Sequence, residues 1–141
     1  MYDKETIAVY NNKVADYVRL VDRPPSIFLI DFIKRVKRNG NVLDLGCGPG
    51  NTSAEMKRCG LKPYAIDASS EMIKKVKKQY NIKAKVMTFN ELNDINCYDG
   101  VFASFSLLHL KKKHFKHCLR AIHKSMKEEA IFSLGMKLGE G

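Results

Sequence analysis

Very little in this 141-residue chain could tie it together covalently or by metal. Its four cysteines, Cys47, Cys59, Cys97 and Cys118, are widely spaced and form no Cys-x-x-Cys pair. That argues against a disulfide framework and against a zinc site, and leaves free thiols in a reducing compartment as the expectation. No metal constellation is legible, and no metal is expected. The longest apolar runs are about eight residues, far short of the ~20 that cross a bilayer, so no membrane partner is expected. The start, MYDKETIAVY, carries early acids and no apolar stretch, unlike a secretory signal, which leaves the cytoplasm as the expected location. Acids are few: 15 Asp and Glu against 25 Lys and Arg, a net charge of +10. Such a balance admits an anionic partner such as RNA. Yet Lys74, Lys75, Lys77 and Lys78, and Lys111, Lys112, Lys113 and Lys116, fall on the outer faces of predicted helices. No aromatics interleave with them as a strand-binding groove would want, and they read as solvated surface.

What is present is an ordinary globular balance, 45% hydrophobic and 28% charged, sized for one domain with one core. From Asp3 to Val21 apolar residues recur three or four apart, a helical period stopped by Pro24-Pro25. Pro25 or Ser26 can open a second helix through Lys37, with Ile27, Phe28, Ile30, Phe32, Ile33 and Val36 as a broad buried face. Asn41 to Leu45 reads as a buried strand and Thr52 to Cys59 as a helix that Gly60 ends. Lys62 to Ile66 is a second strand, Ser69 to Tyr80 a helix opened by a near-capping pattern, and Ile82 to Met87 a third strand. After a polar, irregular stretch from Asn90 come a strand at Gly100–Ser104, a helix at Lys113–Met126 and a strand at Ala130–Leu134. Strands alternating with helices predict a mainly parallel sheet in an α/β fold.

The sharpest local signal is Val42-Leu43-Asp44-Leu45-Gly46-Cys47-Gly48-Pro49-Gly50. A glycine-rich turn from a buried strand into a helix lies where open α/β sheets bind ligands. Its Gly46-x-Gly48-x-Gly50 spacing departs from the G-x-G-x-x-G of dinucleotide sites, and Asp44 would repel a pyrophosphate. An uncharged or amino-bearing ligand fits better. Asp67, at the end of the second strand, is placed either to hold a ribose diol or to cap the helix behind it; coupled to the glycine turn, the ribose role is the better reading.

VLDLGCGPGNTS, then AIDASSEMI, then YDGVFASFSLLHL resemble the class I S-adenosylmethionine-dependent methyltransferases. The segment from Thr6 to Tyr17 resembles the N-terminal helix of a bacterial small-protein branch of that superfamily, and the resemblance runs to Gly141. It implies a Rossmann-like three-layer α/β/α sandwich with strand order 3-2-1-4-5, residues 1–23 forming a lid helix and 24–141 the core. It implies S-adenosylmethionine as cofactor. Asp44 would orient its amino-acid end; Gly46, Cys47, Gly48 and Gly50 would wrap it; Asp67 would hold the ribose hydroxyls. Ala68 and Met72 would flank the adenine, Tyr10, and less directly Tyr17, would close the pocket, and Ser104 would sit where cofactor and acceptor meet.

The sequence also departs from the family. Where many relatives carry an acid contacting the adenine amino group, Met87-Thr88-Phe89 stands here, leaving Thr88 or a backbone carbonyl to accept that bond. Lys127-Glu128-Glu129-Ala130 replaces a Pro-Gly-Gly turn, which should alter the approach to the fifth strand. The family's C-terminal hairpin is missing, so the expectation is a truncated domain whose exposed fifth strand invites a partner or a second copy. The Asp-Pro-Pro-aromatic signature of base-amine methylation and the Pro-Cys nucleophile are absent; Ala103-Ser104-Phe105-Ser106-Leu107-Leu108-His109 stands in the first place. His109 is the only local candidate base, with a packed or capping role as its plainer reading; His114, His117 and His123 look solvated. The expected activity is methyl transfer to a small molecule. The rival is a catalytically silent S-adenosylmethionine-binding or structural subunit.

Overall fold

The computed structural model describes residues 26–106 and 112–137. Ser26 opens helix α1 (Ile27–Arg35) by accepting the Leu29 N–H at 3.2 Å. The helix ends two residues before the expected Lys37, and its buried face differs from the expected one. Leu29, Phe32 and Val36 are buried with Ile33 packed beside them, a single i, i+3, i+4, i+7 stripe. Ile27 and Phe28 lie off that stripe and are about three-quarters exposed, at 74% and 73%; Ile30 is also exposed.

Five strands follow: β1 (Asn41–Leu45), β2 (Lys62–Asp67), β3 (Lys83–Val86), β4 (Tyr98–Ser106) and β5 (Met126–Lys137). They form one parallel sheet in the order β3-β2-β1-β4-β5, as expected. Between them lie α2 (Asn51–Arg58), α3 (Ser70–Tyr80), a 3₁₀ turn (Phe89–Glu91) and α4 (Lys112–Ser125). One layer packs Leu43, Leu45, Val101 and Ala103 against Cys118 and Ile122 of α4. The opposite face carries Val42 with Phe32 and Met56, and Ala65 with Ile73 and Val76. The result is the three-layer sandwich, with β1 at its centre and buried on both sides from Val42 on, which is why Val42 to Leu45 is an apolar run broken only by Asp44.

The ends of the elements follow local chemistry. Gly60, at φ +94°, closes α2: its N–H bonds Lys57 O at 3.0 Å and the Leu61 N–H bonds Met56 O at 3.0 Å, a two-bond helix stop that needs a left-handed residue. A Cβ at Gly60 meets only Asn39 Oδ1 at 3.8 Å. Gly60→Ala is therefore expected to cost only the conformational strain, about 1 kcal/mol, read as a small fall in urea midpoint with an unchanged slope.

The approach to β5 is irregular where sequence departs from the family turn. Tyr98 pairs with Met126 but Gly100 with Ile131, a bulge, and Glu129 lies in the left-handed region at φ 64°. The strand accordingly starts at Met126, earlier than expected. It forms one edge of the sheet, where Phe132 and Leu134 share a face and are exposed.

In a parallel sheet each helix runs back from the carboxyl end of one strand to the amino end of the next. The four helices among the described residues thus end on the amino-end face, each with basic residues in its last turn: Lys34 and Arg35, Lys57 and Arg58, Lys77 and Lys78, His123 and Lys124. These complement the negative C-terminal ends of the helix dipoles. Lys57 does so across elements, its Nζ donating to Tyr80 O and Asn81 O at 3.3 and 3.2 Å. Lys74, Lys75, Lys77, Lys78 and Lys116 are exposed, as expected. His117 and His123 are exposed too, but His114 is half-buried.

Candidate functional site at the carboxyl ends of β1 and β2

Asp44 and Asp67 stand at or beside the carboxyl ends of neighbouring strands, and the turn from Gly46 to Gly50 runs between them. The turn is pinned to β2: the N–H groups of Gly46 and Cys47 both bond Ile66 O at 2.9 Å. Gly46, Gly48 and Gly50 have φ of 82°, 56° and 96°. At Gly46 the demand for glycine is also steric, because a Cβ would stand 2.6 Å from Ser104 O and 3.5 Å from the Phe89 ring. Glycine here lets β4 and the Phe89 ring close on the turn, a packing role that a ligand-centred reading of the motif does not include.

Asp67 does not cap α3. Ser69 does, accepting the Met72 N–H at 3.3 Å. Asp67 is buried, at 2% exposure, and ties the turn together: Oδ2 accepts the Gly48 N–H and Oδ1 the Ser69 N–H, both at 2.9 Å. A carboxylate offers about four acceptor positions, so these two bonds do not by themselves exhaust it.

Asp44 is also buried, and its Oδ2 accepts the Ser53 hydroxyl at 2.6 Å. Burial raises its pKa to about 7; Ser53, by hydroxyl and backbone amide, opposes the shift, and Asp67 adds to it. Ser53 is the functional partner that sequence reasoning missed. The signal was present in Asn51-Thr52-Ser53, which places a hydroxyl in the first turn of the helix behind the glycine turn. Cys47 is buried between these acids; burial first, then Asp44 and Asp67, pushes its thiol far above the usual range. It is a packed, protonated thiol, its Sγ donating to Gly48 O at 3.3 Å.

The other expected site residues are distributed as follows. Ala68 is half-buried, while Met72 and Phe89 are buried. Thr88 is half-buried, and its N–H and hydroxyl both donate to Glu91 Oε1, at 2.7 and 3.0 Å. Ser104 is exposed on β4, with its carbonyl against Gly46. Tyr10, Tyr17 and His109 lie outside the described residues. Among the described residues no group of three His, Cys, Asp or Glu could hold a metal ion, and no helix is long and apolar enough to cross a membrane.

Two buried carboxylates beside one glycine turn, one of them poised near neutrality, suit a cation that also offers hydroxyl donors. S-adenosylmethionine, with an ammonium, a sulfonium and a ribose diol, fits that donor set.

No curated protein matches the chain. Similar solved structures include a Burkholderia thailandensis 1,6-didemethyltoxoflavin-N1-methyltransferase with bound 1,6-didemethyltoxoflavin and S-adenosylhomocysteine, 18% identical, with a TM-score of 0.76 over 92% of this chain and 60% of that one. A TehB-like S-adenosylmethionine-dependent methyltransferase from Corynebacterium glutamicum is 18% identical, with a TM-score of 0.72 over 88% of this chain and 72% of its own. The PH0226 protein from Pyrococcus horikoshii is 25% identical, with a TM-score of 0.67 over 75% of this chain and 51% of its own. This chain thus spans between half and about three-quarters of the length of these proteins. The methyltransferase-domain family matches residues 42–129, more than half of the sequence and the whole of the segment that builds the glycine turn and both aspartates; the chain belongs to that family, in its Rossmann-like class I architecture.

Proposed function

We propose that the chain binds S-adenosylmethionine at the carboxyl ends of β1 and β2 and transfers its methyl group to a small-molecule acceptor. The observation that carries this reading is the pairing of buried Asp44 and Asp67 around the glycine turn, within the family match. The cofactor supplies an activated methyl group on a sulfonium. For their part, Asp44 holds the ammonium of its amino-acid end and Asp67 the ribose hydroxyls. Gly46, Cys47, Gly48 and Gly50 present the backbone along it, and Ala68, Met72, Thr88 and Phe89 border the adenine. Ser104, near the carboxyl end of β4, lies where the acceptor enters, with Tyr10 to close the pocket and His109 as the candidate base. Methyl transfer needs chiefly proximity and alignment, which a pinned turn supplies. The small-molecule acceptor is supported by the Burkholderia thailandensis enzyme, which was solved with one bound. The exposed edge of β5, with Phe132 and Leu134, is proposed as a contact for a partner or a second copy, read by sedimentation.

Calorimetric titration with S-adenosylmethionine and S-adenosylhomocysteine tests the reading. Micromolar binding is expected, weakened at least about 30-fold in Asp67→Ala, the loss of two or more charged hydrogen bonds. A folded chain that binds neither compound overturns the proposal. Binding without methyl transfer across a panel of small acceptors would instead support the silent-subunit reading.

A further inference from the structure

The positive charge of the chain is not spread evenly, and it does not gather at the glycine turn. It gathers at the other end of the sheet. Basic last turns of the helices account for part of it, and dipole complementarity explains those. It does not explain Lys62 and Lys83, at the amino ends of β2 and β3, nor Lys85 two residues further along β3 toward its carboxyl end. The register makes them neighbours: Tyr64 pairs with Lys83 and Ile66 with Lys85, while Lys62 and Tyr64 are two apart on β2 and share a face. The result is a lysine–tyrosine–lysine row that no sequence window reveals. Lys62, Lys83 and Lys85 are exposed and Tyr64 is half-buried.

This row opens into a recess of about 520 Å³, whose walls include Lys57, Tyr64, Asp94 and Tyr98. A second recess of about 450 Å³ adjoins it, sharing Lys57 and adding Arg58. The acids nearby are engaged: Asp94 accepts the Tyr98 hydroxyl at 2.7 Å, Glu55 pairs with Arg58, and Glu91 takes the Thr88 N–H and hydroxyl while lying near Lys85. Basic groups therefore outnumber acids along a concave path with an aromatic side chain beside it.

We propose that this groove binds a single-stranded nucleic acid, without sequence preference, through its phosphates and through stacking on Tyr64. Charge alone would equally suit an anionic bilayer. A flat lipid surface, however, does not use two joined recesses, and an apolar group to insert is missing from the row itself. A flexible strand uses both the recesses and the aromatic face. The inference is independent of the methyltransferase reading, because none of these residues contributes to the glycine turn or the two aspartates.

The test is fluorescence anisotropy of a labelled 12-nucleotide oligouridylate titrated with the full chain at several salt concentrations. Four phosphate contacts, to Lys57, Lys62, Lys83 and Lys85, give a slope of log affinity on log salt of about −2.8, a fall of roughly 50-fold between 50 and 200 mM salt. The triple variant K62Q/K83Q/K85Q should lower that slope to about −0.7, and K62R/K83R/K85R should restore it. Tyr64→Leu should weaken binding several-fold and leave the slope unchanged. K74Q/K75Q/K116Q, which removes the same charge from helix faces, should bind as the parent does. Three outcomes overturn the proposal: no binding at 50 mM salt, an equal loss in the helix-face variant, or binding to phosphatidylserine vesicles without binding to the oligonucleotide.

Discussion

Asp44→Asn is expected to melt about 3–8 °C higher than the parent chain at pH 8, to gain nothing below pH 4, and to lose most affinity for S-adenosylmethionine. Asp44 is buried in the centre of the sheet and its pKa is raised from 3.8 to about 7, chiefly by burial. The sign follows directly. A carboxyl whose folded pKa lies above its unfolded value contributes stability that is complete below about pH 4 and is lost as pH rises through about 7. At pH 8 the parent holds a desolvated anion at a cost of no more than about 4 kcal/mol, three pK units at 1.36 kcal/mol each. Asparagine keeps an oxygen for the Ser53 hydroxyl, now 2.6 Å from Asp44, and carries no charge. Part of the gain is offset by the new amide N–H groups, which need partners. A net 1–2 kcal/mol is several degrees in a domain of roughly this size. Below pH 4 the carboxyl is neutral in both the folded and the unfolded chain, and the advantage disappears.

Under the proposed function the same substitution removes the anion that receives the cofactor's ammonium. A charged hydrogen bond of about 1.5–3 kcal/mol corresponds to a 10- to 100-fold loss of affinity. The parent should bind more tightly as pH rises from 6 to 8, because a cation favours ionised Asp44; the variant should show no such trend. Stability and binding thus move in opposite directions at one residue, a signature that general misfolding cannot produce. A variant that melts lower than the parent at pH 8 would mean that Ser53 outweighs burial and that Asp44 is held ionised in the folded chain.

How much of this was legible before the structure depends on the range over which each feature is encoded. The alternation of strands and helices, the glycine turn and the Ser69 cap rest on contiguous patterns and were readable, whereas the strand order came only with the family resemblance. The stop at Gly60 was also readable. Helix α1 was readable as a helix, but its buried side was misassigned. Leu29 was left out and the off-stripe Ile27, Phe28 and Ile30 were included, because seven apolar residues in ten satisfy more than one helical phase. Asp67 was ambiguous for a different reason. Its neighbours Ala68-Ser69 supply their own cap, so its carboxylate is released to bridge Gly48 and Ser69, and only the position of the turn reveals that. The Asp44–Ser53 bond spans nine residues and the Lys62–Tyr64–Lys83 row depends on strand register. Neither has a local signature. The lysine clusters that a window does reveal are the ones on helix faces, whereas the charges that meet in a groove are scattered along the sequence.

Gly46→Ala should be the most damaging single-methyl change at the site, and comparison with Gly60→Ala isolates the reason. Both glycines are left-handed, at φ 82° and 94°, so both pay about 1–2 kcal/mol of backbone strain when a Cβ is added. At Gly60 that Cβ has room. At Gly46 it lies 2.6 Å from Ser104 O, a carbonyl on the neighbouring strand β4 that cannot swing aside as a side chain would. Relief requires β4 to move from β1 at its carboxyl end, where Leu45 pairs with Ala103, or the turn to lift from Ile66 O, which holds both the Gly46 and Cys47 N–H groups at 2.9 Å. Overpacking of this kind costs about 1–3 kcal/mol beyond the strain, giving a total of roughly 2–5 kcal/mol, a large share of the stability of an ordinary domain. Urea unfolding of the two variants should separate them by about 2 kcal/mol or more. Where Gly46→Ala remains folded, calorimetry should also find S-adenosylmethionine binding reduced, since the displaced elements carry the Gly48–Asp67 bond and the end of β4. Equal losses at the two positions would mean that the turn yields freely at Ser104, and that the close approach of β4 to the glycine turn is not what positions this site.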